Sequence, residues 1–378
     1  MDVKQIATLV NTINGEVLGD SVIVNEDLSN IVDVGTAVFD ANAVDPYSKA
    51  LVNQIGKMIF VNRKYEGGAP SVLMDGWEWG SIMAKVSVDL PDVEINESWE
   101  IQNGASYDCQ IFYGPDNVTQ RFYNKRVTFE IPKSFTEVQL RQSFTSAEQF
   151  NGFISMIYTS VENALTLSID NLIMRTINGA MAEAINATHV VDLLKAYNTT
   201  KGTSLTPEVA VMTEDFLKYC SYQIGLYADR MSKLSVNFNV GAKERFTPAD
   251  RRHVVLLSDF AKAIGPYTLA GAYNKEELAL PEFETVPFWQ GNDSGSYDLD
   301  EVSSINVKLP SNNATTVSQA YIIGCIFDRD ALGVSNLSRR VTTAYNAKAE
   351  FFNNFYKFDA GYFCDTNEQM LVFIIAGT

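Results

Sequence analysis

The chain has 378 residues, 46% of them hydrophobic and 20% charged, with a formal net charge of −17 at pH 7. That profile fits a packed chain of about two to three domains or subdomains and excludes a disordered one. It also excludes a broad basic face able to draw in nucleic acid or anionic lipid over long range.

The opening residues MDVKQIATLVNTING lack the basic segment and apolar run of a signal peptide. No apolar stretch reaches the roughly 18 residues of a membrane span, so no membrane partner is expected. Cys109, Cys220, Cys325 and Cys364 show no C-x-x-C spacing and fit buried thiols in a reduced, cytoplasmic chain. Residues 1 to about 45 are weakly periodic. A helix is expected after Asp45-Pro46, where proline suits a first turn.

Ala84–Leu90 (AKVSVDL) and Lys125–Ile131 (KRVTFEI) alternate apolar and polar residues, as half-buried strands do. A long polar stretch lies between them. The expectation is a two-stranded arm with an elaborated tip that includes Trp99, Ile101, Phe112 and Tyr113. Such a hairpin is marginal alone and needs something to lie on.

The strongest signal follows. Ser146-Ala-Glu-Gln149 reads as a capping box. It opens a helical stripe through Phe150, Phe153, Ile154, Ile157, Val161, Ala164, Leu165, Ser168, Leu172, Ile173 and Ile177. A helix from about Ser146 to Ala184 would be roughly 55–60 Å long, a spine rather than an ordinary helix.

After the linker NTTKGTSLT come a short apolar run, EVAVM, and a helix capped by Thr213 and running through Phe216, Leu217, Cys220 and Ile224. A strand, HVVLL from His253, leads into a short helix that Gly265-Pro266 should end. Phe283–Phe288 is a further strand candidate. This alternation predicts a small α/β domain. Two more strands are expected at Tyr321–Phe327 and Met370–Ile375. No internal repeat is present.

Between those last strands lies YNAKAEFFNNFYKFDAGYF, from Tyr345 to Phe363. A single-strand stacking platform would add net positive charge to its aromatics. This stretch is close to balanced, so its aromatics read as packing, with Phe355 among the core residues.

The search for chemistry returns no catalytic, cofactor or metal site. His189 and His253 have no partner at metal-ligand spacing and read as structural. No G-x-S-x-G, Walker A or G-x-G-x-x-G run occurs, and Gly67-Gly68 reads as a turn. Asp328 and Asp330, flanking Arg329, read as turn residues around an ion pair. The acidic loop with Asp293, Asp298, Asp300 and Glu301 lacks the calcium-loop pattern. Lys243, Arg245, Arg251 and Arg252 stand among Glu244 and Asp250 and read as an ion-paired surface, as does Arg339-Arg340.

FDRDALGV (327–334) and SRRVTTAYNAKAEFFNNFYKFDAGYFCDTNEQMLVFI (338–374) resemble the C-terminal part of tailed-bacteriophage major capsid proteins of the HK97 fold. The local match covers about the last sixth of the chain, and the order of elements covers nearly all of it. The resemblance implies an α+β, HK97-like capsid fold. Its parts would be an N-terminal arm and first helix (1–64), an extended β-hairpin loop (65–135), a peripheral domain with the spine helix (136–204), an inserted α/β axial domain (205–320) and a return to the peripheral domain (321–378).

It also implies self-assembly into hexamers and pentamers of an icosahedral or prolate shell. Double-stranded DNA would be held by enclosure, and an acidic wall suits that. No long, charged, helical N-terminal extension is present, so a separate scaffolding protein and a portal are expected partners. The place would be the virion, reached through the host cytoplasm. No crosslinking residue can be aligned. The alternatives are an encapsulin-like compartment shell and, from another class, an acidic cytoplasmic enzyme.

Overall fold

The computed structural model describes residues 3–19, 22–41, 43–61, 72–74, 83–88, 103–105, 118–270, 281–290 and 298–377. Gly67-Gly68, most of the expected arm tip including Trp99, Ile101, Phe112 and Tyr113, and Asp293 lie outside them. In chain order the helices are α1 (Val3–Val17), α2 (Ile31–Asp40), α3 (Val44–Val61), α4 (Glu137–Ser143), α5 (Ala147–Asn186), α6 (Leu193–Lys201), α7 (Pro207–Ala210), α8 (Glu214–Met231), α9 (Ser258–Ala270) and α10 (Leu299–Val302). The strands are β1 (Leu73–Met74), β2 (Met83–Val88), β3 (Val118–Tyr123), β4 (Arg126–Thr136), β5 (Val190–Asp192), β6 (Arg252–Leu257), β7 (Glu284–Val286), β8 (Ile305–Lys308), β9 (Thr316–Gln319), β10 (Ile322–Asp328), β11 (Leu332–Asn346), β12 (Phe351–Cys364) and β13 (Met370–Ile374).

The chain divides into two compact units. The first comprises Met1–Trp79, Lys125–Arg175 and Val334–Tyr362. Its sheet runs β1-β11-β12-β4. The connection between β11 and β12 is only four residues long, which makes them an antiparallel hairpin. Glu350 turns the corner with φ of 51°. β4 pairs antiparallel with β12 from Thr136–Phe351 to Arg126–Gly361.

That register explains both alternations. Phe129, Ile131 and Phe135 stand opposite Phe358, Tyr356 and Phe352, so the apolar positions of both strands share one face. Phe129 and Phe358 stack at 4.8 Å, and Phe135 meets Phe153 of α5 edge-on at 5.4 Å. The other face carries Thr128 opposite Asp359, Glu130 opposite Lys357 and Pro132 opposite Phe355.

Three sequence expectations change here. KRVTFEI is a strand, but its partner is β12 and not AKVSVDL. Its apolar face needs a buried sheet, which the aromatic stretch supplies. Phe355 lies on the outer face and is only half-buried, while Phe352, Tyr356 and Phe358 are the buried aromatics of β12. Residues 1–45 contain two helices, α1 and α2, where weak periodicity had suggested neither.

The second unit comprises Gly80–Asn124, Thr176–Gly333 and Phe363–Thr378. Its five-stranded sheet has the order β5-β13-β10-β6-β7, antiparallel at the centre and parallel at both edges. β10 and β13 are buried at every position, so their continuous apolar runs fit strands covered on both faces. At Gly324 an added Cβ would stand 2.9 Å from the Val255 carbonyl oxygen, so only glycine lets β10 lie this close to β6.

EVAVM is not a strand. Pro207 starts the one-turn helix α7 there, followed by α8. The expected linker NTTKGTSLT begins inside α6, whose last four residues are 198–201, and Gly202 at φ of 66° closes that helix. α9 runs through Gly265-Pro266 to Ala270, giving up one backbone rung at the proline.

α5 is 40 residues long, about 60 Å, and Ser146 Oγ accepts from the Gln149 amide at 3.2 Å. Its N-terminal part is amphipathic, with Phe150, Ile154, Ile157, Val161, Leu165, Ile169, Leu172 and Ile173 buried. Residues 176–184 are buried on every side, including the polar Thr176, Asn178 and Glu183. Asn178 donates to the Trp289 carbonyl at 2.6 Å, and Glu183 accepts from the Ser311 amide at 2.7 Å.

Candidate assembly surfaces

β2 and β3 form a two-stranded antiparallel ribbon, with Lys85 opposite Arg121, Ala84 opposite Phe122 and Val88 opposite Val118. Alternation puts different chemistry on its two faces. One face carries Val86, Val118 and Phe122, all well exposed, Phe122 by 63%. The other carries the two cations. Two like charges directly across a ribbon repel unless something answers them.

The answer is the turn that joins β12 to β13. Lys85 Nζ lies 2.9 Å from Asp365 and 2.6 Å from Glu368, and it donates to the Asp330 carbonyl at 3.3 Å. Arg121 reaches Asp365 at 3.4 Å and the Thr366 hydroxyl at 3.3 Å. Arg245 approaches Glu368 at 3.5 Å. Tyr123 packs its ring on Phe363 at 5.5 Å. Burial works against ionisation of Asp365, but the Lys85 charge beside it and the Asn367 amide outweigh that and hold its carboxyl below the usual range. The ribbon is therefore clamped by its charged face and leaves its apolar face outward. Sequence reading missed β3, hidden in a polar stretch, and missed the clamp, whose members lie more than 240 positions apart.

The polar clusters singled out in the sequence are held by the following contacts. Asp328 is buried, and its carboxylate accepts from the Asp330 amide at 2.8 Å. Asp330 in turn pairs with Arg251. Asp330 is a turn residue, as expected, whereas Asp328 is the last residue of β10. Arg245 and Arg251 are ion-paired, though with Glu368 and Asp330 rather than with the nearby Glu244 and Asp250. Arg340 lies 2.8 Å from Asp359, which also accepts from Thr128 at 2.6 Å and Ser338 at 2.7 Å.

His253 lies against Phe327, with ring centroids 5.8 Å apart, and burial lowers its pKa. His189 donates its backbone amide to Ala184. Asp298, Asp300 and Glu301 flank and form the short α10. Among the described residues no group of three or more His, Cys, Asp and Glu could hold a metal ion, and no helix is long and apolar enough to cross a membrane.

Comparison with known proteins places this architecture. The capsid structure of Staphylococcus phage Andhra matches with a TM-score of 0.53 at 9% identity, over 83% of this chain and 87% of that one. Two others match less well. The structure of head fiber and inner core protein gp22 of native bacteriophage P68 gives 0.49 at 8% identity, over 83% and 86%. The capsid structure of cyanophage P-SCSP1u gives 0.45 at 11%, over 82% and 87%. No curated protein matches the sequence. The likeness to the Andhra capsid shows the fold, which is α+β and HK97-like. The profile of the Phi29-like phage major capsid protein family matches residues 7–374. This chain belongs to that family and is a shell-forming major capsid protein of a virion.

Proposed function

We propose that the chain builds a closed icosahedral or prolate shell, as hexamers and pentamers, around packaged double-stranded DNA. The observation that carries this reading is the ribbon β2–β3, clamped by Lys85 and Arg121 on one face and apolar and exposed on the other. A ribbon fixed at its root with an uncovered apolar face is suited to lie on the next copy. The net charge of −17 suits a wall that encloses DNA without holding it.

In this reading 1–64 are the N-terminal arm and first helices. Residues 65–135 are the extended loop, with β2–β3 as its stem and β4 as its return to the sheet. Residues 136–204 and 321–378 are peripheral, and 205–320 are axial. Assembly takes place in the host cytoplasm with a separate scaffolding protein and a portal. No catalytic step, cofactor or metal is assigned to the chain.

Val88 and Val118 face each other across the ribbon. Residues 89–117 can therefore be replaced by Asn-Gly, which closes a two-residue hairpin. Expressed with the other head proteins, the unaltered chain should give large closed particles. The excised chain should give a soluble, folded subunit by circular dichroism and no complete shells by negative-stain microscopy. Normal shells from the excised chain would put the overlapping arm elsewhere.

A further inference from the structure

The second unit carries two exposed patches of opposite charge at the two ends of α8. That helix has 18 residues, so its ends are about 27 Å apart and cannot meet within one copy. At the N-terminal end, residues 205–216 contain Glu208, Glu214 and Asp215 and no cation. All three carboxylates are exposed, with Val209 and the 82% exposed Met212 beside them. Tyr321 donates to Glu208 at 3.0 Å, and Asp300 lies within electrostatic reach of the same phenol. Lys218 answers Glu214 at 2.7 Å, which leaves Glu208, Asp215 and Asp300 in excess.

The C-terminal end is the reverse. Arg230 and Lys233 are exposed, and residues 229–252 hold six cations against three carboxylates. Glu368 and Asp330 answer Arg245 and Arg251 from outside, which leaves Arg230, Lys233, Lys243 and Arg252 against Asp229, Glu244 and Asp250. The loop 232–247 also displays Leu234, Val236 and Phe246 to solvent. It is a held loop. Ser235 and Arg245 exchange backbone hydrogen bonds of 3.0 and 3.1 Å, Asn239 ties Lys243 through both its amide and its carbonyl, and Thr247 donates to the Met231 carbonyl. Apolar side chains on such a loop can be covered at small ordering cost.

Neither patch suits its own copy, because carboxylates would meet carboxylates and cations would meet cations. Two different patches that complement each other on one chain give a head-to-tail contact, which closes into a ring where the rotation between copies closes and otherwise runs on as a filament. We propose that the acidic N-terminal end of α8 on one copy docks against the basic, apolar 232–247 loop of the next. This assignment rests on the shell-forming reading and names the surfaces that join copies within one ring.

The test reverses each end separately and then both together. Arg230→Glu with Lys233→Glu should lower the yield of closed particles at least tenfold, and so should Glu214→Lys with Asp215→Lys. The chain carrying all four substitutions restores complementarity at every contact, in rings of any size. Its yield should return to within about threefold of the unaltered protein. Single-end variants that assemble normally, or a fourfold variant as defective as its parents, would overturn the proposal while leaving the unaltered chain's shells as they are. An unaltered chain that forms no particles would overturn the shell reading and the proposal together.

Should the fourfold variant melt early, the neutral pair Arg230→Gln and Lys233→Gln serves instead. Its yield should lose most of the unaltered chain's dependence on salt between about 50 and 300 mM. An unchanged salt response would overturn the proposal.

Discussion

At the scale of single residues, the aromatic stretch shows how far a pattern can be trusted. Its aromatics do pack, but a strand has two faces and only one is core. Phe352 is 1% exposed and within 5.6 Å of the Phe135 ring. Phe355 is half-buried opposite Pro132, with Lys357 Nζ 5.7 Å from its ring. Phe352→Ala should therefore cost about 3–5 kcal/mol of stability, and Phe355→Ala about 1 kcal/mol, read by denaturant melts of the isolated subunit.

Asp359 gives a pH prediction. Burial pushes its carboxyl up, but hydrogen bonds from Arg340, Thr128 and Ser338, together with the Arg340 charge, hold it at about 2. Its folded-state pKa is below its unfolded value, so its stabilisation is complete above the ordinary carboxylate range. That stabilisation should be lost as pH falls from about 4 to about 2. In Asp359→Asn that part of the acid sensitivity should be missing from melting curves measured across the window.

At the scale of elements, the ribbon depends on its clamp more than on its own two strands. Removing the Lys85 ammonium leaves Asp365, whose side chain is 2% exposed, and Glu368 with less than their full complement of cations. Lys85→Met should cost about 3 kcal/mol, the scale of a broken buried pair. Adding Asp365→Asn should recover part of that loss, and a double-mutant cycle on thermal stability would measure the coupling. Additive losses would mean that the two residues act separately. The same logic explains α5. Its first part needs only a stripe of apolar residues, whereas 176–184 are surrounded and must place partners on Asn178 and Glu183.

At the scale of the whole molecule, the first unit is gathered from three separated stretches and so is the second. Short-range patterns were legible where one face or both faces of an element are buried along its length. The α5 stripe, the apolar runs of β6, β10 and β13 and the alternation in β2 and β4 all announced themselves. So did the absence of familiar catalytic motifs and the resemblance of the C-terminal run to capsid proteins. These are properties of consecutive residues, and burial imposes a period that consecutive residues must obey.

Pairing is different. β4 could have closed a hairpin with β2 as well as a sheet with β12, since either partner suits an alternating strand. Only the tertiary structure chose, by giving Phe129 and Ile131 the aromatic face of β12. β3 was invisible because VTQRFY buries little of its own. The ribbon's anchor lies beyond 240 residues in sequence, where no local period can carry information. The sequence by itself determined the helix α5, the strands β2, β4, β6, β10 and β13, and the family to which they belong. The tertiary structure decided which strand meets which, which face of each is core, and which charges are answered within the subunit.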